Sequence, residues 1–348
     1  MRCDVIVIGA GMAGLVAADE IVRAGADVRV LEASSEVGGR VLGQPSGPDT
    51  GAEFIGRPHS ALRTLINSLG LRTSVAGLDR SPILWRLPNR HCVSRLPPVP
   101  MRDRVRLGTA WWRLRRQALR LDSEKPWNSE AIADLDRVSL ADWLTDHGAT
   151  QRGLDITEAV VGGFATRPIT EVSAAHTAAW IAAAGGLLTA IRSGQQYVVP
   201  GGAHQIPRRL ADRIGDRIIV RSPVAAITTG HHGVEVTTGD DVWAADAAIA
   251  AVPLPALQHV IIEPAPEPAL QSAIMQLSYG RAVKSLPPQR LRDPPRIDPW
   301  SAGTRWLSHG AITGQWPASP QPTAPSPNYS ATWPPASTSN PPNYTRSA

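Results

Sequence analysis

Cysteine and lysine are nearly absent from this 348-residue chain, which has two cysteines, Cys3 and Cys92, and two lysines, Lys125 and Lys284, against 33 arginines. Two cysteines cannot build a disulfide framework or a thiolate zinc centre, and no histidine pair has metal-ligand spacing, so no metal is expected and a reducing, cytoplasmic setting is. The adjacent His231 and His232 sit in a glycine-bounded turn and read as solvent-exposed. The net charge of +5 comes with no dense basic block interleaved with aromatics, which argues against a nucleic-acid partner. The opening apolar run is interrupted by glycines and preceded by Asp4, unlike a signal peptide. Residues 174–191 have the length of a membrane span but carry His176, Thr177, Thr189 and the pair Gly185-Gly186, which predicts a buried helix ending at those glycines. The last 63 residues, 286–348, hold 14 of the 32 prolines and no Val, Glu, Lys, Phe, Met or Cys. Such a composition cannot continue a valine-rich sheet and predicts a disordered tail.

What the chain does have is concentrated at its start. Residues 5–8, Val-Ile-Val-Ile, predict a strand buried on both faces of a parallel sheet. Gly9-Ala10-Gly11-Met12-Ala13-Gly14 follows, then Leu15, Ala18, Ile21 and Val22 at helical spacing, with Gly25 where a left-handed cap is needed. A second strand over residues 28–31 ends in Glu32, eighteen residues after Gly14. In a strand–helix–strand unit each glycine has its own duty: Gly9 for the tight turn, Gly11 for backbone approach to a pyrophosphate, Gly14 for close packing of helix on strand. The helix N-terminus favours an anion, and Glu32 is placed to accept hydrogen bonds from a ribose while repelling a 2′-phosphate, which argues against NADP. A bare glycine pattern also arises in flexible loops; strand, helix and acid in register set this one apart.

The loop after Glu32 runs Ala33-Ser34-Ser35-Glu36-Val37-Gly38-Gly39-Arg40. An acid ending the second strand followed by Gly-Gly-Arg resembles the flavin-dependent amine oxidase family. The resemblance implies an α/β fold: an FAD-binding, Rossmann-like domain of the glutathione-reductase type with an inserted, mainly helical substrate domain. It implies FAD held noncovalently, with Gly9, Gly11, Met12, Ala13 and Gly14 at the phosphates, Glu32 and Ala33 at the adenosine ribose, and Gly39 and Arg40 along the pyrophosphate. Read from the residues alone, a surface arginine capping a turn is the plain alternative for Arg40. Asp49-Thr50-Gly51-Ala52-Glu53 is similar to the family segment whose backbone nears the flavin ring, which implicates Gly51 and Ala52. In relatives the residue matching Val224 contacts adenine, and a buried strand valine would look the same in sequence. The segment 275–284 resembles the element that delivers a lysine toward flavin N5 through a water, which makes Lys284 the catalytic candidate; a surface lysine is the plain alternative.

Length and resemblance together suggest FAD-domain segments over 1–80 and 194–256, a helical substrate domain over 81–193, its return over 257–285, and the tail over 286–348. Leu107, Trp111, Leu114, Ala118 and Leu121 form an apolar helical stripe, with seven arginines between Arg102 and Arg120 mostly on the other faces. A solvated face or peripheral contact with an anionic membrane would both account for them. Short strands at 218–220, 224–228, 234–236 and 242–243 read as a small antiparallel meander, and 247–252 as another buried strand. The implied activity is oxidation of a small-molecule amine to an imine and aldehyde, with hydride transfer to flavin and reoxidation by O2. Two other readings stay open: a catalytically inactive, truncated FAD-binding remnant, with the tail an unrelated reading frame, and a protoporphyrinogen- or carotenoid-type flavin oxidase.

Overall fold

The computed structural model describes residues 1–44, 48–76, 83–87, 90–94 and 96–280. Lys284 and the tail expected over 286–348 lie outside the described residues. Two compact units emerge: Met1–Leu96 with the described part of Ile191–His309, and Pro97–Ala190.

In the first unit β1 (Arg2–Ile8) leads through α1 (Met12–Arg23) to β2 (Val28–Leu31). β1 and β2 run parallel, with Val5 opposite Val28 and Val7 opposite Val30. The side-chain period of two splits these strands between two cores. Val7, Val28 and Val30 pack with Leu15 and Ala18 of α1, Ile66 of α2 (Ser60–Ser68), and Ile206, Leu210 and Ile214 of α10 (Gln205–Ile214). Ile6, Ile8 and Leu31 face the other way, onto Ile227, Val236 and Trp243. α1 ends as expected: Gly25 has φ +83°, and the N–H groups of Gly25 and Ala26 return to the carbonyls of Val22 and Ile21. Buried Asp19 on α1 lies 3.6 Å from Arg213 at the end of α10.

The rest of the main sheet comes from β7 (Ile218–Ile219), β8 (Ala226–Gly230), β9 (Gly233–Thr238), β10 (Asp241–Ala250) and β11 (Ile261–Glu263), in the order β11-β8-β9-β10-β1-β2-β7. β8, β9 and the first half of β10 form the expected antiparallel meander, but it is continuous with the main sheet and 218–219 is not part of it. Residues 242–243 and 247–250 belong to one strand whose first half pairs antiparallel with β9 and whose second half pairs parallel with β1. The apparent break between them is Ala244-Ala245-Asp246, and small residues weaken the apolar signal without interrupting the ladder. That second half is also not buried: Ala247, Ile249 and Ala250 are exposed. β7 pairs parallel with β2 and so lies at the opposite edge from the β8–β9 hairpin. β11 places the described part of 257–285 in this first unit. The short β3 (Ser74–Val75) pairs with β6 (Tyr197–Val198), and β4 (Ile83–Leu87) with β5 (Arg90–Ser94), a hairpin inside the stretch read as helical.

The second unit is helical: α3 (Met101–Ala118), α4 (Glu130–Asp136), α5 (Leu140–Asp146), α6 (Gln151–Thr157), α7 (Gly163–Ala165) and α8 (Ala174–Ala183), with α9 (Leu187–Ser193) crossing its end. Its core gathers Ala110, Leu114, Ala118 and Leu121 with Leu140, Leu144, Ala178 and Ile181. Side-chain caps set the helix starts. Ser139 Oγ accepts from Asp142 N–H at 3.0 Å at α5, and Ser173 Oγ accepts from His176 N–H at 3.0 Å at α8. The apolar stretch from 174 ends at Gly185 and Gly186, both with positive φ, and a new helix starts beyond them. Among the described residues no helix is long and apolar enough to cross a membrane.

Candidate functional site

The site is built where β1 stops and α1 starts. Gly9 has φ +98°, a conformation L side chains rarely adopt, and a Cβ there would lie 3.1 Å from the Ala251 carbonyl oxygen. Gly11 is the N-cap of α1 with extended backbone and no side-chain cap, so by helix geometry the N–H groups of Met12, Ala13 and Gly14 have no partner inside the helix. A Cβ on Gly11 would meet nothing within 4 Å, while one on Gly14 would sit 1.9 Å from the Gly9 carbonyl oxygen. The two glycines therefore do opposite things: Gly14 lets protein close on protein, and Gly11 leaves an open approach to the helix end.

A second loop seals this one. Gly38 N–H donates to the Ala10 carbonyl at 2.8 Å, and a Cβ on Gly39 (φ +58°) would come within 3.2 Å of Gly11 Cα. Gly39 and Arg40 are exposed, and the Arg40 guanidinium stacks 5.2 Å from the centre of the Tyr279 ring. Tyr279 was not anticipated; it is separated from Arg40 by most of the unit.

Glu32 turns its carboxylate back onto the glycine loop. Oε2 accepts from Ala10 N–H at 2.6 Å, and Oε1 accepts from Ser34 N–H at 2.8 Å and from Ser34 Oγ at 2.6 Å. The acid is thus oriented by the loop it was expected to serve. Ser222 N–H donates to the Glu32 carbonyl at 2.8 Å, and Arg221 N–H to that of Ser34 at 2.9 Å. This brings the chain before β8 alongside the same end of β2. Val224 lies on that segment, ahead of the strand, half-buried against the core of Ile6 and Ile8. Ala33 is exposed.

Gly51 and Ala52 lie against the loop of Arg40: Ala52 N–H donates to the Arg40 carbonyl at 2.9 Å, and a Cβ on Gly51 would sit 2.1 Å from that oxygen. A cavity of ≈ 70 Å³ opens there, lined by Met12, Val41, Ala52, Phe54, Leu62 and Ile206 among others. Behind it lies a buried pair the sequence reading passed over. Asp49 accepts from Ala203 N–H at 2.7 Å, from His204 N–H at 3.1 Å and from His204 Nδ1 at 2.7 Å, and side chains of both residues are at most 4% exposed. His204 Nε2 is buried with no hydrogen-bond partner among the described residues. Gly43 and Gly202 flank the ring; a Cβ on either would come within 2.4 Å of it. This pair ties the loop carrying Ala52 to the start of α10.

The sequence-derived residues Gly9, Gly11, Met12, Ala13, Gly14, Glu32, Gly39, Arg40, Gly51 and Ala52 thus converge on one end of the parallel strands. An open glycine at an uncapped helix end, a neighbouring positive charge and an acid aimed at the same loop fit the pyrophosphate and ribose of a dinucleotide. Among the described residues no cluster of three metal-ligating side chains occurs.

The sequence profile described as flavin containing amine oxidoreductase matches residues 12–286. A Mycobacterium tuberculosis protein provisionally named flavin-containing monoamine oxidase AofH is 34% identical over 291 residues, 81% of this chain and 64% of that protein. The pig (Sus scrofa) flavin-containing amine oxidase B is 26% identical over 82% of this chain and 57% of its own length. A putrescine oxidase structure solved with putrescine superposes with a TM-score of 0.73 at 24% identity, over 80% of this chain and 64% of that one, a likeness of fold. The chain therefore spans under two thirds of the length of the relatives it matches.

Proposed function

Because this chain belongs to the flavin containing amine oxidoreductase family, we propose that it binds FAD noncovalently and oxidises a small-molecule amine. The net reaction would convert a primary amine, dioxygen and water into an aldehyde, ammonia and hydrogen peroxide. When bound, FAD supplies the two-electron acceptor for that oxidation.

The observation that carries the reading is the Glu32 carboxylate, held 2.6 Å from Ala10 N–H beside the open face of Gly11. In this assignment the N–H groups of Met12, Ala13 and Gly14 take the pyrophosphate, Gly9, Gly11 and Gly39 keep its approach clear, and Arg40 adds a fixed positive charge. Ribose hydroxyls donate to Glu32 in place of Ser34 Oγ, with Ala33 and Val224 toward the adenosine. Gly51 and Ala52 bring backbone to the ring end, and the cavity beside Ala52 lies on that side. Lys284 is assigned to hold a water near the reacting atoms, a task that suits a compact ammonium.

Incubating the full chain with FAD and removing free cofactor tests this. The expected result is a retained flavin spectrum and hydrogen peroxide that appears only when a primary amine is added. A colourless protein, or peroxide independent of amine, would reject the assignment.

A further inference from the structure

We propose that α3 docks this protein onto an anionic phospholipid surface. The reason is a second stripe on that helix, distinct from the one that folds it. Met101-Arg102, Val105-Arg106, Trp112-Arg113 and Leu119-Arg120 are four apolar–arginine steps spaced by four, seven and seven residues. At roughly 100° per residue Met101, Val105, Trp112 and the C-cap Leu119 fall on one line about 40° wide, Arg102, Arg106 and Arg113 fall on the line beside it, and Arg120 follows just past the helix end.

That side faces away from the core. Met101 is 67% exposed, Val105 59%, Trp112 51% and Leu119 54%, and Arg102, Arg106, Arg113 and Arg120 are exposed with them. The opposite side supplies Ala110, Leu114 and Ala118 to the helical core, so folding of α3 does not require the outer stripe. The one acid of the helix, Asp103, is buried and within reach of Arg102 (3.8 Å) and Arg152 (3.4 Å), which leaves no carboxylate of α3 on the outer face. Arg116, also exposed, stacks 5.0 Å from the centre of the Trp112 ring.

A narrow apolar line rimmed by arginine matches a lipid headgroup boundary. Tryptophan prefers that depth, the aliphatic stems of arginine lie along apolar surface, and the guanidinium heads pair with phosphate. Charge complementarity selects the lipid: a polybasic face gains about fivefold in affinity per arginine on an anionic surface, and nothing comparable on a neutral one. A nucleic acid would answer the arginines but leave Met101, Val105 and Leu119 without a partner.

The test is sedimentation of the full chain with vesicles of phosphatidylglycerol and phosphatidylcholine, or phosphatidylcholine alone. Binding is expected only with phosphatidylglycerol and should weaken as salt rises. The double variant Arg106→Gln/Arg113→Gln should bind about 25-fold more weakly, and lipids brominated in the acyl chain should quench fluorescence in the wild type that is missing in Trp112→Phe. Circular dichroism of the variants should match wild type, because these side chains are outside the core. Equal binding to neutral vesicles, no binding, or wild-type affinity in the double variant would overturn the proposal. Tighter binding to duplex DNA, or self-association lost in Trp112→Ser, would overturn it by giving the stripe another partner.

Discussion

Gly14→Ala should abolish FAD retention. The added methyl would sit 1.9 Å from the Gly9 carbonyl oxygen and 3.2 Å from Ala251 Cβ, and a backbone oxygen cannot turn aside as a side chain can. α1 must move off β1 by on the order of an ångström, which in a close-packed interior costs about 1–3 kcal/mol. The same displacement spoils the convergence of the N–H groups of Met12, Ala13 and Gly14, so FAD affinity should fall about 100-fold or more. Gly11→Ala separates the two effects. Its φ of −72° suits any residue, and its methyl would meet no protein atom within 4 Å. Stability should therefore hold, while a methyl in the path of the pyrophosphate lowers FAD affinity. Chemical denaturation read beside flavin titration distinguishes the pair. A Gly11→Ala variant that binds FAD normally would mean that the phosphates do not lie there.

The second large effect is expected at Asp49→Ala. Removing this carboxylate leaves the N–H groups of Ala203 and His204 and the Nδ1 of His204 without their acceptor inside the protein. Buried donors stripped of a charged partner cost about 3–5 kcal/mol in sum. FAD affinity should fall in parallel, because the loop from Asp49 to Ala52 loses its tie to the start of α10. Asp49→Asn keeps one acceptor oxygen and should lose markedly less. Adding His204→Leu to Asp49→Ala should recover part of the stability by removing the orphaned ring, a positive coupling that a double-mutant cycle measures directly. Simple additivity would show that Asp49 and His204 do not act as a unit.

These two variants also mark where the sequence was readable. The strand, glycines, helix, second strand and acid at the start of the chain are local in sequence, each constrained by backbone geometry, and the structure places them in register. The inner stripe of α3 was legible for the same reason. The Asp49–His204 bond was not, since it joins residues 155 apart and neither has a telltale neighbour other than glycines. The packing of Gly43 and Gly202 against the ring becomes meaningful only once the fold brings them there. β10 was divided because its alanine-rich centre carries little hydrophobic signal, although its backbone pairing is continuous. The outer stripe of α3 was visible as a charge pattern, but only the exposure of Trp112 and its neighbours shows that the core does not use it.

The adenosine end of the cofactor site gives the most direct test of the account, through the FAD dissociation constant of the wild-type chain against Glu32→Gln. The amide oxygen of glutamine can still accept from Ala10 N–H, so the loop keeps its bond. The other side of the carboxylate becomes a donor, which a ribose hydroxyl cannot donate to. The account predicts tight FAD binding by the wild type and a loss of about tenfold to 100-fold in the variant, with only a small fall in the unfolding midpoint as the exposed Ser34 N–H gives up its carboxylate acceptor for water. Equal affinity in the two proteins, or no FAD binding by either, would contradict it.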